Sequence, residues 1–146
     1  MDFSLLSFAH SLLRYAVLLA LIYAFAANLR GWLLGRPILT ADRLAAIVAM
    51  VLCHVQLVLG IILYLQNYGA IRQMGGAVGR FWRFEHIGTM IIAIALVTIG
   101  RMLSKRAKEE PVKQRHVAVF YGIGLALMLW AVPWPFREVG HGLGWL

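Results

Sequence analysis

RFEHIGTMIIAIALVTIG, residues 83–100, sets a carboxylate and an imidazole at the mouth of a run that otherwise holds only apolar and small residues. A membrane with a hydrocarbon core of about 30 Å calls for a helix of about 20 such residues. An ionisable residue at the edge of that segment is costly, and it marks a functional position by default. The same pattern recurs along the chain, because every long apolar run contains or borders a histidine.

Composition agrees with this reading. Of 146 residues, 62% are hydrophobic and 14% charged, and the mean hydropathy is +0.78, which excludes an ordinary soluble domain. Barrel strands would alternate polar and apolar residues over about 10 positions, and these runs do not. The sequence therefore predicts an all-α integral membrane protein, a single domain over residues 1–146 with helices at about 5–29, 44–65, 84–103 and 117–132. Pro133 and Pro135 end the last span. The intervening GRPILTADR, QNYGAIRQMGGAVGR and SKRAKEEPVKQR carry the glycine, proline and charge expected of turns, so a four-helix bundle is the economical architecture.

The net charge of +8 is a topology signal. Nine basic residues (Arg30, Arg36, Arg43, Arg101, Lys105, Arg106, Lys108, Lys113 and Arg115) fall in or beside the first and third connections. The second connection and the termini hold Arg72, Arg80, Arg83 and Arg137, which places both termini on the non-cytoplasmic side. The basic excess favours anionic lipid headgroups, and no nucleic-acid partner is expected. Asp2 stands where a signal peptide would carry a basic residue, so no cleavable signal is expected.

Several chemistries lack their residues. Cys53 is the sole cysteine and no Cys-x-x-Cys-His occurs, which rules out a covalently attached c-type haem. There is no His-Glu-x-x-His, no serine-histidine-aspartate set and no phosphate-binding glycine loop, and the histidine spacings do not form a zinc cluster on one helix.

The ionisable residues inside the apolar runs remain. Arg14 lies within the first span, where arginine costs about 2.5 to 3.5 kcal/mol at a helix centre. It either pairs with Glu85 or snorkels outward. Helical rise gives the histidines their depths. Counting from Phe3, His10 lies about 10 Å in, and from Arg83, His86 lies about 5 Å in, whereas His54 is about 16 Å from the inner edge and near the midplane. His116 follows Arg115 at the cytoplasmic headgroups.

Two imidazoles at matched depth on separate helices are what a haem iron takes as axial ligands inside a bundle. His10 with His86 is the first choice of pair, and His54 is the second choice of ligand. Gly88, Thr89 and Ala93 would make room for the ring, and Arg14, Arg80 and Arg83 would meet its propionates. Gln56, about 200° round the helix from His54, cannot join it in one cluster. The alternative is structural, with histidines that hydrogen-bond between helices at about 0.6 to 2 kcal/mol.

HSLLRY (residues 10–15), HVQLVLGIILY (54–64), RFEHIGTM (83–90) and VPWPFRE (132–138) occur in an order and spacing that resembles a family of small four-helix membrane proteins labelled cytochrome B in bacterial genomes. The resemblance spans nearly the whole chain. It implies a haem-associated respiratory protein, with His10, His54 and His86 as the family-type histidines, Arg14 and Glu85 beside them, and His116 left open. Either one haem b is held and a histidine is left for another task, or two are held with His116 recruited.

The expectation is thus a b-type cytochrome of the bacterial inner membrane. It would pass single electrons from a donor such as quinol and act more as a carrier than as a stand-alone enzyme. Quinone is a further candidate ligand, with His54 binding it or relaying a proton. Its small size suggests a homodimer or a subunit of a larger respiratory complex. The rival expectations are a haem-free helical subunit and a small proton or ion conductor lined by His54, Arg14 and Glu85.

Overall fold

The computed structural model describes residues 5–142 and Trp145. Asp2 and Phe3 lie outside them. Among the described residues every regular element is helical: α1 Leu5–Leu33, α2 Thr40–Gln66, the short α3 Tyr68–Gln73, α4 Gly76–Arg80, a π-helical turn Phe81–Glu85, α5 His86–Arg106, α6 Glu110–Ala131, and a 3-10 turn Glu138–Gly140. The α4 helix, π turn and α5 follow without a break, so Gly76–Arg106 is one helix of 31 residues.

Three helices, Leu5–Leu33, Thr40–Gln66 and Gly76–Arg106, are long and apolar enough to cross a membrane. The first turns of α6 carry Glu110, Lys113 and Arg115, which leaves an apolar stretch of about 22 Å from residue 117 onward. The third helix starts eight residues earlier than the sequence predicts, because GAVGR is helical and not a turn. Gly79 makes this possible by lying against the Met74 carbonyl, where a Cβ would have no room, and Ile71 anchors α3 by being buried.

The connection between α1 and α2 is built by Gly35, at φ +61°. Its amide donates to the Trp32 carbonyl (3.4 Å), and the Arg36 amide donates to that of Gly31 (2.9 Å), the paired bonds that close a helix C-terminus around a left-handed residue. Pro37 follows and prevents the helix from continuing. Asp42 then opens α2 by accepting the Leu39 amide (3.1 Å), and it also meets the Arg36 guanidinium (3.0 Å). From α6, Gln114 donates to the Arg36 carbonyl (2.9 Å) and Glu110 accepts from the Ile38 amide (3.3 Å). This end of the molecule is therefore tied by polar bonds that range from exposed to partly buried.

Along their lengths α1 packs against α2 and α6, while α5 packs against α6 and, over a shorter seam, against α2. The core between them is mostly small and β-branched: Ala24, Ala46, Ala49, Ala93, Val97 and Val117 are buried with Leu21 and Tyr121. Small residues let helix backbones approach where no hydrophobic force joins them. At Gly100, for instance, a Cβ would collide with Phe120 of α6. Tyr121 satisfies its buried hydroxyl by donating to the Ala46 carbonyl (2.6 Å), which ties α6 to α2 through the interior.

Candidate functional site

At the end opposite the Arg36–Asp42 tie, α1, α2, α5 and the end of α6 enclose a cavity of about 270 Å³. Its walls are apolar, with Leu57, Ile61, Met90, Ile94 and Met128 among them. Its polar lining is what distinguishes it: His10 and Arg14 from α1, Gln56 from α2 and His86 from α5 stand among Ser7, Ser11, Tyr64 and Asn67, with no aspartate or glutamate among the described residues. Apolar walls with a few convergent polar groups are the usual character of a ligand pocket.

The π turn positions His86. Widened turns of this kind are frequent at functional sites. Here it sets Phe81 and Trp82 against the imidazole, with ring centroids 5.8 and 5.6 Å away. The His86 Nδ1–H donates to the Ala131 carbonyl at the end of α6 (2.8 Å). That bond fixes the tautomer and leaves Nε2 with its lone pair and no hydrogen bond among the described residues. A backbone carbonyl holding one imidazole nitrogen so that the other can bind a metal is the usual outer-shell arrangement of a ligating histidine.

His10 is seated on α2. The Gln56 side-chain amide donates to the His10 carbonyl (2.9 Å) and to its ring Nε2 (3.3 Å). One turn further on, a Cβ at Gly60 would stand 3.1 Å from His10 Cε1, so glycine is what lets the ring lie against the helix. Sequence reasoning missed both residues, and the i, i+4 spacing of Gln56 and Gly60 was the available signal, since it puts them on one face.

Arg14, one turn beyond His10, donates to the Trp145 carbonyl (2.7 Å) and the Tyr15 hydroxyl (3.1 Å) and lies over the Tyr15 and Trp134 rings at 4.8 and 5.9 Å. The expected pair with Glu85 is not made. Glu85 meets Arg80 instead, at 2.6 Å, because those two residues are five apart on one continuous helix. Among the described residues Arg14 forms no ion pair, and its hydrogen-bond partners are neutral. His10 Nδ1, Arg14 Nε and Gln56 Oε1 are three of the five buried side-chain polar atoms that lack a hydrogen-bond partner among the described residues.

The structure does not bring the remaining expected residues here. His54 lies on the outward face of α2, where its Nδ1–H donates to the Met50 carbonyl (2.8 Å) and its Nε2 is 3.4 Å from the Thr98 hydroxyl of α5. Gln56 is two positions along, and the helical turn sends the pair to opposite faces as expected. His116 is on α6, 15 residues before Ala131 and so about 22 Å along the axis from the carbonyl that holds His86.

The guanidinium of Arg83 turns back to donate to the Gly79 carbonyl (3.0 Å), and that of Arg80 is taken by Glu85. Nor do Gly88, Thr89 and Ala93 line the cavity. Ala93 is buried toward α6 instead, its carbonyl next to Gly124. No group of three or more His, Cys, Asp or Glu residues able to hold a metal ion occurs among the described residues, so a metal here would rest on the imidazole pair.

Comparison with protein-family models, with curated proteins and with solved structures gives no match.

Proposed function

We propose that this chain is a b-type membrane cytochrome that holds one haem between His10 and His86 and passes single electrons. The observation that carries the reading is one apolar-walled cavity lined by two imidazoles and a guanidinium, with no aspartate or glutamate among the described residues of its lining. A haem asks for that combination: axial nitrogens for its iron, oil for its ring, and a cation for its propionates. When bound, it supplies a one-electron iron couple. His86 would bind through Nε2, already freed by the Ala131 bond, and His10 would bind from α1. Arg14 would hold a propionate with its unpartnered Nε–H. The His54 and His116 positions favour one haem over two.

The same reading takes all four long helices as a membrane-spanning bundle in a bacterial inner membrane. The basic α1–α2 and α5–α6 connections would lie in the cytoplasm, and the cavity near the opposite surface. An electron carrier with so little mass outside the membrane works with a partner, either a second copy or a larger respiratory complex that includes a quinol-oxidising unit.

The test is optical. Protein purified in detergent should show a Soret band that shifts on dithionite reduction, with the spectrum of low-spin six-coordinate haem. His10→Ala and His86→Ala should each abolish that spectrum, and His116→Ala should leave it intact. Colourless protein with full helical circular dichroism, which also fails to take up added haem, would remove the proposal.

A further inference from the structure

Resting on the haem reading, we infer that Gln56 is the positioning residue for His10. It selects the ring tautomer and holds the imidazole on the Gly60 notch until iron takes Nε2. The inference follows from counting hydrogens. The Gln56 amide nitrogen carries two N–H groups, and two acceptors of the same residue receive them, the His10 carbonyl at 2.9 Å and the His10 Nε2 at 3.3 Å. An Nε2 that accepts is unprotonated, so the ring proton of neutral His10 sits on Nδ1.

Turning the amide end for end would set its oxygen 2.9 Å from the carbonyl oxygen with no hydrogen between them, so the donor arrangement is the only one that satisfies both contacts. Ala131 imposes the same state on His86 by accepting its Nδ1–H at 2.8 Å. Both imidazoles are thereby kept with the proton on Nδ1 and the lone pair on Nε2. This is the state that binds a metal through Nε2, the nitrogen far from the backbone.

The two devices differ in what happens on loading. The bond to Ala131 lies on the far nitrogen of His86 and survives ligation. The longer bond from Gln56 lies on the ligating nitrogen of His10 and must be given up to iron. The shorter bond to the His10 carbonyl remains and keeps α1 in register with α2. Gly60 sets the depth of the ring, since an alanine Cβ at 3.1 Å from Cε1 would make the imidazole give way by a few tenths of an ångström.

Gln56→Glu tests this without changing side-chain size. An ionised glutamate donates nothing, and a protonated one has a single O–H for two acceptors. A carboxylate at this place accepts a hydrogen bond from Nε2–H, which favours the tautomer with the proton on Nε2 and leaves the lone pair on Nδ1, against the Gly60 notch.

In haem-free protein, ¹⁵N imidazole shifts should show His10 with the proton on Nδ1 in the wild type and on Nε2 in Gln56→Glu. With haem, wild type should be six-coordinate and low-spin. Gln56→Glu should instead be five-coordinate and high-spin, with His86 alone on the iron, and Gln56→Leu, which keeps the helix apolar, should lose at least half of the low-spin signal. A low-spin spectrum unchanged in both variants, or a His10 proton already on Nε2 in wild type, would overturn the role of Gln56. Wild-type protein that binds no haem would instead refute the haem reading itself, so the two failures are separable.

Discussion

Replacing Arg14 by methionine isolates the charge that its guanidinium brings to the cavity. Methionine keeps most of the side-chain length and apolar surface but removes the guanidinium. In the haem-free protein the loss should be small. Arg14 makes two hydrogen bonds, to the Trp145 carbonyl and the Tyr15 hydroxyl, each worth about 1.5 to 3 kcal/mol for a charged donor, against about 2.5 to 3.5 kcal/mol for placing arginine inside a membrane helix. At the middle of these ranges they cancel to within about 1.5 kcal/mol.

In the loaded protein they do not. A propionate about 4 Å from the guanidinium gains about 4 kcal/mol at an effective dielectric constant of about 20. Desolvation of the carboxylate and screening at the membrane edge remove roughly half, which leaves about 2 kcal/mol, or about 30-fold in affinity. Haem titrated into haem-free protein in detergent should bind Arg14→Met about 30-fold more weakly, with an unchanged low-spin spectrum because both imidazoles remain. Haem dimethyl ester, which has no charged carboxylates, should bind wild type and variant alike. Equal affinity of the two proteins for haem, or a persistent difference with the ester, would refute the pairing.

Two other outcomes follow from the same geometry. Asp42→Ala removes the partner of Arg36 and the acceptor of the Leu39 amide together. A broken buried pair costs about 3 to 5 kcal/mol, and because the Arg36 side chain keeps 28% exposure about 2 kcal/mol is expected here, read as a lower denaturation midpoint in detergent; a midpoint equal to wild type would contradict it. His54→Ala should leave the haem spectrum and affinity unchanged, since that ring faces away from the cavity, and loss of low-spin haem in this variant would reassign the ligand.

The apolar runs and the positions of His10 and His86 were readable because both depend on local quantities, hydropathy and helical rise. What the sequence concealed was azimuth and partnership. Depth arithmetic placed His54 inside the membrane but could not say which way α2 would turn it, and it faces outward. Gln56 was weighed only against His54 on its own helix, whereas its partner is His10, 46 positions away on α1.

Arg14 and Glu85 looked complementary as the ionisable residues at one membrane edge. A closer arginine on the continuous α4–α5 helix took the carboxylate, since a short loop closure competes well with a long one. The π turn also lay beyond reading, as no composition rule marks one extra residue in a helical turn. It accompanies the backward course of Arg83 and the packing of Trp82 against His86.

The Arg36–Asp42–Gln114 knot joins α1, α2 and α6 at one end, and the hollow lies at the other. Mechanically the helices resemble tongs with a stiff pivot. A rigid disc entering between the far ends would press on helices that this pivot holds together, and α2 and α5, joined over the shorter seam, would part first. Differences in the thickness of whatever is gripped would then be taken up as splay at the tips, with the Arg36–Asp42–Gln114 end held at one spacing.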